Sequence, residues 1–261
     1  MEILLLRVSL APCLVLLVSV VARRLGPRRG GQLIGAPTST GPFLLLMCST
    51  YGPGPAARAA HGCVTGTLVV VCFGLAYARL APVLRPAWTL LTALAGAATA
   101  GLAGALCGST LLTAGLTVAV IFAGLATRPS GDRGPRPTSR ARAWEIPMRM
   151  AVSALMVLGA VATARALGSF LGGVLAALPI LLAVMGTALH RSAGAPVAAD
   201  LMRGALHSTA GTLCFLLVLG TVLVPLGPAP AFLLALAALT AAHPLVRLSL
   251  PALRGRPAPG R

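Results

Sequence analysis

The chain has 261 residues, of which 57% are hydrophobic and 10% charged, with a mean hydropathy of +0.92 and a formal net charge of +17. Soluble domains carry about 25% charged residues, so an ordinary water-soluble globule is excluded, and so is a disordered chain, which would be far less apolar. An all-α polytopic membrane protein remains.

A helix that crosses about 30 Å of hydrocarbon needs about 20 residues. In chain order nine segments meet this need: Ile3–Ala22, Gly31–Ser49, Ala59–Ala78, Pro86–Ala105, Ser109–Thr127, Pro147–Ala164, Leu167–Leu189, Leu201–Val224 and Ala229–Val246. The first has no basic segment before it and is followed directly by Arg23 and Arg24, so it reads as an uncleaved span rather than a signal peptide. Pro86–Thr127 is 42 residues without a charge. As one helix it would be about 63 Å long, roughly two bilayer crossings. Cys107-Gly108-Ser109 supplies a tight turn between two spans.

The arginines test this count. Nine spans place 18 of the 21 on one side and only Arg7, Arg58 and Arg165 on the other. A single span over Pro86–Thr127 would split them 7 to 14. The positive-inside rule selects nine spans in a plasma (inner) membrane, N-terminus outside and C-terminus cytoplasmic. The basic excess therefore reads as topology, not as a nucleic-acid surface.

Sliding the chain by 142 residues without a gap aligns its first hundred residues with Glu145–Ala242. Arg7 falls on Arg149, Arg23 on Arg165, Gly30-Gly31 on Gly172-Gly173, Pro37 on Pro179 and Gly52 on Gly194. Gly62 meets Gly204, Cys72-Phe73 meets Cys214-Phe215, and Pro86-Ala87 meets Pro228-Ala229. Leu and Ala matches are common between any membrane segments, but Gly, Pro, Arg, Cys and Phe in one register mark a duplication. Each copy holds four spans, and the extra span between them turns the second copy over. The expected fold is 4+1+4 inverted-topology repeats, an architecture that recurs in secondary transporters. The corresponding units are a first repeat at 1–105, a central inverting helix at 106–127, a cytoplasmic linker at 128–143, a second repeat at 144–247 and a basic tail at 248–261.

The second span carries GAPTSTGP, residues 35–42. Two prolines and two glycines in eight residues remove backbone hydrogen bonds and loosen a helix. Such a break is tolerated at membrane depth where it is buried in protein or lines a cavity. Thr38, Ser39 and Thr40 place three hydroxyls there, with Pro37, Pro42 and, in the second copy, Pro179 as flex points. The same segment also suits a kinked packing helix whose hydroxyls bond back to its own carbonyls. The third span of each repeat adds Thr65 and His207, an ionisable side chain inside a span and so a functional candidate. A histidine bonded to a neighbouring helix is the plainer alternative. Gly62, Gly66, Gly204 and Gly211 give these helices small faces for close packing.

The four acids, Glu2, Asp132, Glu145 and Asp200, all lie away from span centres, which disfavours a carboxylate proton relay. Glu145 and Asp200 are expected just ahead of helices, where negative charge suits the dipole. The six cysteines, Cys13, Cys48, Cys63, Cys72, Cys107 and Cys214, sit in apolar runs without a CxxC pair and read as small hydrophobes, not as a disulfide frame or metal site. No GxSxG, HExxH or P-loop occurs, so no enzyme activity, metal or cofactor is expected.

Arg165, Leu167-Gly168, Gly172-Gly173, Pro179, Gly194 and Arg203, with their first-half counterparts through Gly62, form a pattern that resembles the small four-span inner-membrane proteins of the GlpM-like type. The resemblance covers both repeats but not the central helix, and it implies a fold without an agreed activity. The leading expectation is a small-solute transporter or permease with Thr38, Ser39, Thr40, Thr65 and His207 along its pathway. The alternative is a non-transporting membrane scaffold or accessory subunit. Expected partners are the lipid bilayer, a small solute and a second copy of the chain, with no nucleic acid.

Overall fold

A computed structural model describes residues 37, 39–126 and 145–253. The expected first span Ile3–Ala22, the start of the second span, Thr38, the linker 128–143 and the tail from 254 lie outside the described residues. Among the described residues every regular element is an α-helix: α1 (Thr40–Tyr51), α2 (Pro53–Leu80), α3 (Pro86–Leu106), α4 (Thr110–Ala126), α5 (Glu145–Leu167), α6 (Ser169–Ala176), α7 (Ile180–Ala193), α8 (Ala195–Leu226) and α9 (Pro228–Leu253).

Proline and glycine set the boundaries. Pro53, Pro86 and Pro228 open their helices at the first position, where a missing N–H costs nothing, and Pro196 stands second in α8. Gly52 between α1 and α2 has φ 86° and ψ 175°, and Gly194 between α7 and α8 has φ 86° and ψ 170°. Only glycine adopts this region without strain. Both joints turn the chain with a single residue.

By length and composition four apolar stretches suffice to cross a membrane: Pro53–Leu80, Pro86–Leu106, Ser169–Ala193 (α6 and α7 together) and Ala195–Leu226. Thr110–Gly124, Ala151–Leu167 and Pro228–Ala242 are shorter apolar stretches. The long charge-free segment is two helices. α3 ends at Leu106, Gly108 takes φ 64°, and Ser109 Oγ accepts from the Leu112 amide at 3.4 Å as α4 begins. A hydroxyl accepting from the first turn is an N-cap bond.

α2 and α8 form the centre. The His61 ring lies over Gly220, and Gly74 packs against Leu206 and the Met202 carbonyl, so the two helices run antiparallel. Their starting joints, Gly52 and Gly194, therefore lie at opposite ends of the molecule. Leu44, Cys63, Val64, Ala160, Ala176, Leu216 and Leu219 belong to one apolar cluster, and Phe73, Tyr77, Ala93, Leu201 and Met202 to another. α3 packs on α2 and α9 packs on α8. α4 leans on both central helices: a Cβ at Gly124 would stand 3.1 Å from Leu75 and 3.4 Å from Leu206. The most apolar stretch of α2 is 72% buried and that of α3 only 22%, which puts α3 on the rim with Trp88, Leu91, Leu102 and Leu106 exposed.

Two helix boundaries differ from the sequence expectation. The segment expected as one span over Leu167–Leu189 is interrupted between α6 and α7, because Pro179 has no amide to continue the ladder. α8 begins at Ala195, six residues before the expected Leu201. Asp200 consequently sits in the second turn of α8, not ahead of it, and pairs with Arg203 at 3.5 Å.

Candidate functional site

Two helix breaks meet beside α2. The first is the entry to α1. Pro37 and Ser39 are non-helical, the Pro37 carbonyl accepts from Gly41 N–H at 2.9 Å, and the Ser39 carbonyl accepts from Phe43 N–H at 3.1 Å. Pro42, in the first turn, brings no amide. The second break joins α6 to α7. Ala177 N–H donates to the Gly173 and Val174 carbonyls, and Leu178 N–H donates to Leu175 at 3.2 Å, tightening the last turn of α6. Pro179 (φ −79°, ψ 35°) then carries a three-residue turn closed by Ile180 N–H to the Leu178 carbonyl at 2.9 Å.

Ser39 ties these breaks together. Its side chain caps nothing in α1; it donates to the Ala176 carbonyl at 3.4 Å, across 137 residues of chain. Glycine permits the approach. A Cβ at Gly62 of α2 would fall on the Phe170 carbonyl, one at Gly66 on Ala177 and the Val174 carbonyl, and one at Gly173 on the Ala59 carbonyl. α6 thus lies against α2 at backbone contact. α5 closes the other side, with Gly172 against Ala160 and Ala164.

Hydroxyls behave differently at the breaks and away from them. In the regular helices buried threonines donate to the carbonyl four residues back: Thr67 to Cys63 and Thr209 to Ala205 at 2.7 Å, Thr117 to Thr113 at 2.7 Å, Thr187 to Ala183 at 2.8 Å. Thr40 is 5% exposed, opens its helix, and has no partner for Oγ1 among the described residues; Ser153 of α5 is 3% exposed and has none there either. An unpaired buried hydroxyl costs about 1–3 kcal/mol. Two such groups on helices that pack together mark a place where something polar belongs.

Ser39 and Thr40 are therefore at the breaks, while Thr38 lies outside the described residues. Pro37 and Pro42 flank Ser39 and Thr40, and Pro179 caps α7. Thr65 is buried with its methyl beside Gly104, facing α3 rather than the breaks. His207 is half-buried about three turns into α8, deeper than a helix starting at Leu201 would place it. Gly204 and Gly211 are buried on the same helix.

Two features were not anticipated from the sequence. Ser153 is a hydroxyl within the apolar run MAVSALMVL, a signal that composition alone offered. Tyr77, fully buried, hydrogen-bonds through its OH to His190 Nδ1 at 3.2 Å, joining the end of α2 to the end of α7. Among the described residues no three His, Cys, Asp or Glu side chains gather to hold a metal ion, and the cysteines Cys48, Cys63, Cys72, Cys107 and Cys214 are free thiols. Compared with known proteins, the chain matches no family model, no curated sequence and no solved structure.

Proposed function

We propose that the chain is a nine-span inner-membrane protein built as 4+1+4 inverted repeats, and that it carries a small solute between the two helix breaks. The offset of 142 residues that aligns the sequence also carries Gly52 onto Gly194, with matching backbone angles, and Pro53, Pro86 and Thr67 onto Ala195, Pro228 and Thr209. The antiparallel run of α2 and α8 and the position of α4 between them support the inverted relation. The arginine distribution supports nine spans with the N-terminus outside. The GlpM-like resemblance adds a four-span unit as the ancestral half.

One observation carries the transport reading: the Ser39 hydroxyl on the Ala176 carbonyl brings both breaks to one place. Interrupted helices from the two halves of an inverted repeat, meeting at depth, form the solute site of secondary transporters. Relative rocking of the halves would open this contact alternately to each side.

The test is water access. In a chain with its native cysteines replaced, Ser39→Cys and Thr40→Cys are expected to react with a small charged methanethiosulfonate reagent in native membranes, and Thr67→Cys is not. Absence of reaction at both positions overturns the pathway.

A further inference from the structure

The breaks are rich in donors and poor in acceptors, which bears on the charge of the solute. α1 (12 residues) and α7 (14 residues) both begin at the breaks, and Ser39, at the head of α1, touches the last residue of α6, four residues before α7 starts. Each helix start carries a partial positive charge of about half a unit, so together they amount to about one.

An unpartnered hydroxyl stands by each helix start. Thr40 is the first residue of α1. Ser153 follows from the register of α5 on α6: Gly172 meets Ala160 and Ala164, Gly159 meets Leu175, and α5 also packs on α1 and α7. Continued one turn past Val157, this antiparallel register sets Ser153 opposite the first turn of α7. Both hydroxyls are more than nine-tenths buried and neither has a partner among the described residues.

A cation would need free carbonyls or a carboxylate. The carbonyls of Pro37, Ser39, Gly173, Val174, Leu175, Ala176, Leu178 and Pro179 already accept hydrogen bonds within the chain. Asp200 is paired with Arg203. What is left at the breaks is hydroxyl donors and two positive helix ends, bounded closely by Gly66, Ala176 and Ala177.

We infer that the Thr40 and Ser153 hydroxyls, set beside the N-terminal ends of α1 and α7, hold a small monovalent anion between the two helix breaks. This rests on the transport reading above and names the class of its solute. The hydroxyls replace part of the hydration shell and the helix ends balance the charge, as at other helix N-termini that bind anions.

The experiment uses the full chain in proteoliposomes loaded with potassium chloride, nitrate or formate. Anion movement is read as valinomycin-dependent potassium efflux; movement of potassium without valinomycin and of glycerol are the comparison arms. At least one of the three anions is expected to move. Thr40→Val and Ser153→Ala are each expected to slow it tenfold or more while eluting as monodisperse protein, and Thr40→Ser is expected to restore it. Potassium or glycerol movement without anion movement overturns the anion assignment and leaves the pathway standing. No movement of any solute, in a protein whose Ser39→Cys and Thr40→Cys variants still react with thiol reagent, also overturns it. Anion movement unchanged in both variants overturns the site. Failure of the thiol reaction instead removes the pathway itself.

Discussion

The joints and the breaks of this protein follow different rules. Gly52 and Gly194 share their backbone angles to within 5° in ψ, and Thr67 and Thr209 make the same bond at the same 2.7 Å. At the breaks the same offset sets Ser39 and Thr40 against Leu181 and Leu182. A joint must close a helix pair with one residue, a demand that is purely geometric and admits glycine alone. A break that holds a solute needs polar groups only where the solute sits. The frame therefore repeats while its chemistry does not, and the polar side of the breaks is supplied by α1 and α5.

This contrast is open to direct attack. The largest effect is expected where backbone touches backbone. Gly62→Leu would drive a side chain into the Phe170 carbonyl, which cannot rotate away as a side chain can. A loss of about 3 kcal/mol or more is expected, at the upper end of overpacking costs, read as a collapse of the thermal unfolding temperature in detergent. Next come the joints. Gly52→Ala and Gly194→Ala each force a side chain into φ 86° and should cost about 1–3 kcal/mol apiece. Nearly equal losses are expected; a large loss at one joint only would break the parallel between the halves.

Smaller still is the effect at a contact that one half owns alone. Tyr77→Phe removes the bond to His190, whose offset counterparts are Leu219 and Cys48, and should cost about 0.5–1.5 kcal/mol in the same unfolding assay. At the other end of the scale, Gly96 is exposed mid-helix on α3 with nothing near its missing Cβ. Gly96→Ala is expected to stabilise by about 0.5–1 kcal/mol through helix propensity. A loss there would mean that the rim of α3 is packed in a way its exposure does not suggest.

Much of the frame is legible in the sequence because membrane helices announce themselves through charge and proline. The division of Pro86–Thr127 follows from arginine placement and from Gly108, and α3 and α9 begin at prolines that any reader would mark. The start of α8 is not legible, since the alanines of APVAAD are only weakly apolar and a hydropathy window begins at Leu201. Pro179 reads as a flex point but not as a full interruption, because apolar runs on both sides read as one span. The site is legible in part. GAPTSTGP announces a loosened, hydroxyl-bearing segment. That Ser39 reaches Ala176, that Ser153 is left without a partner among the described residues, and that Thr65 faces α3 are long-range outcomes of packing, which local pattern does not encode.

The inverted relation of the halves is tested most directly at Thr50 and Ser192, exposed residues 142 apart, each two positions before its joint. In a chain otherwise free of cysteine, Thr50→Cys should react with a membrane-impermeant maleimide on intact cells, and Ser192→Cys should react only after permeabilisation. Labelling of both positions from the same side would contradict the account.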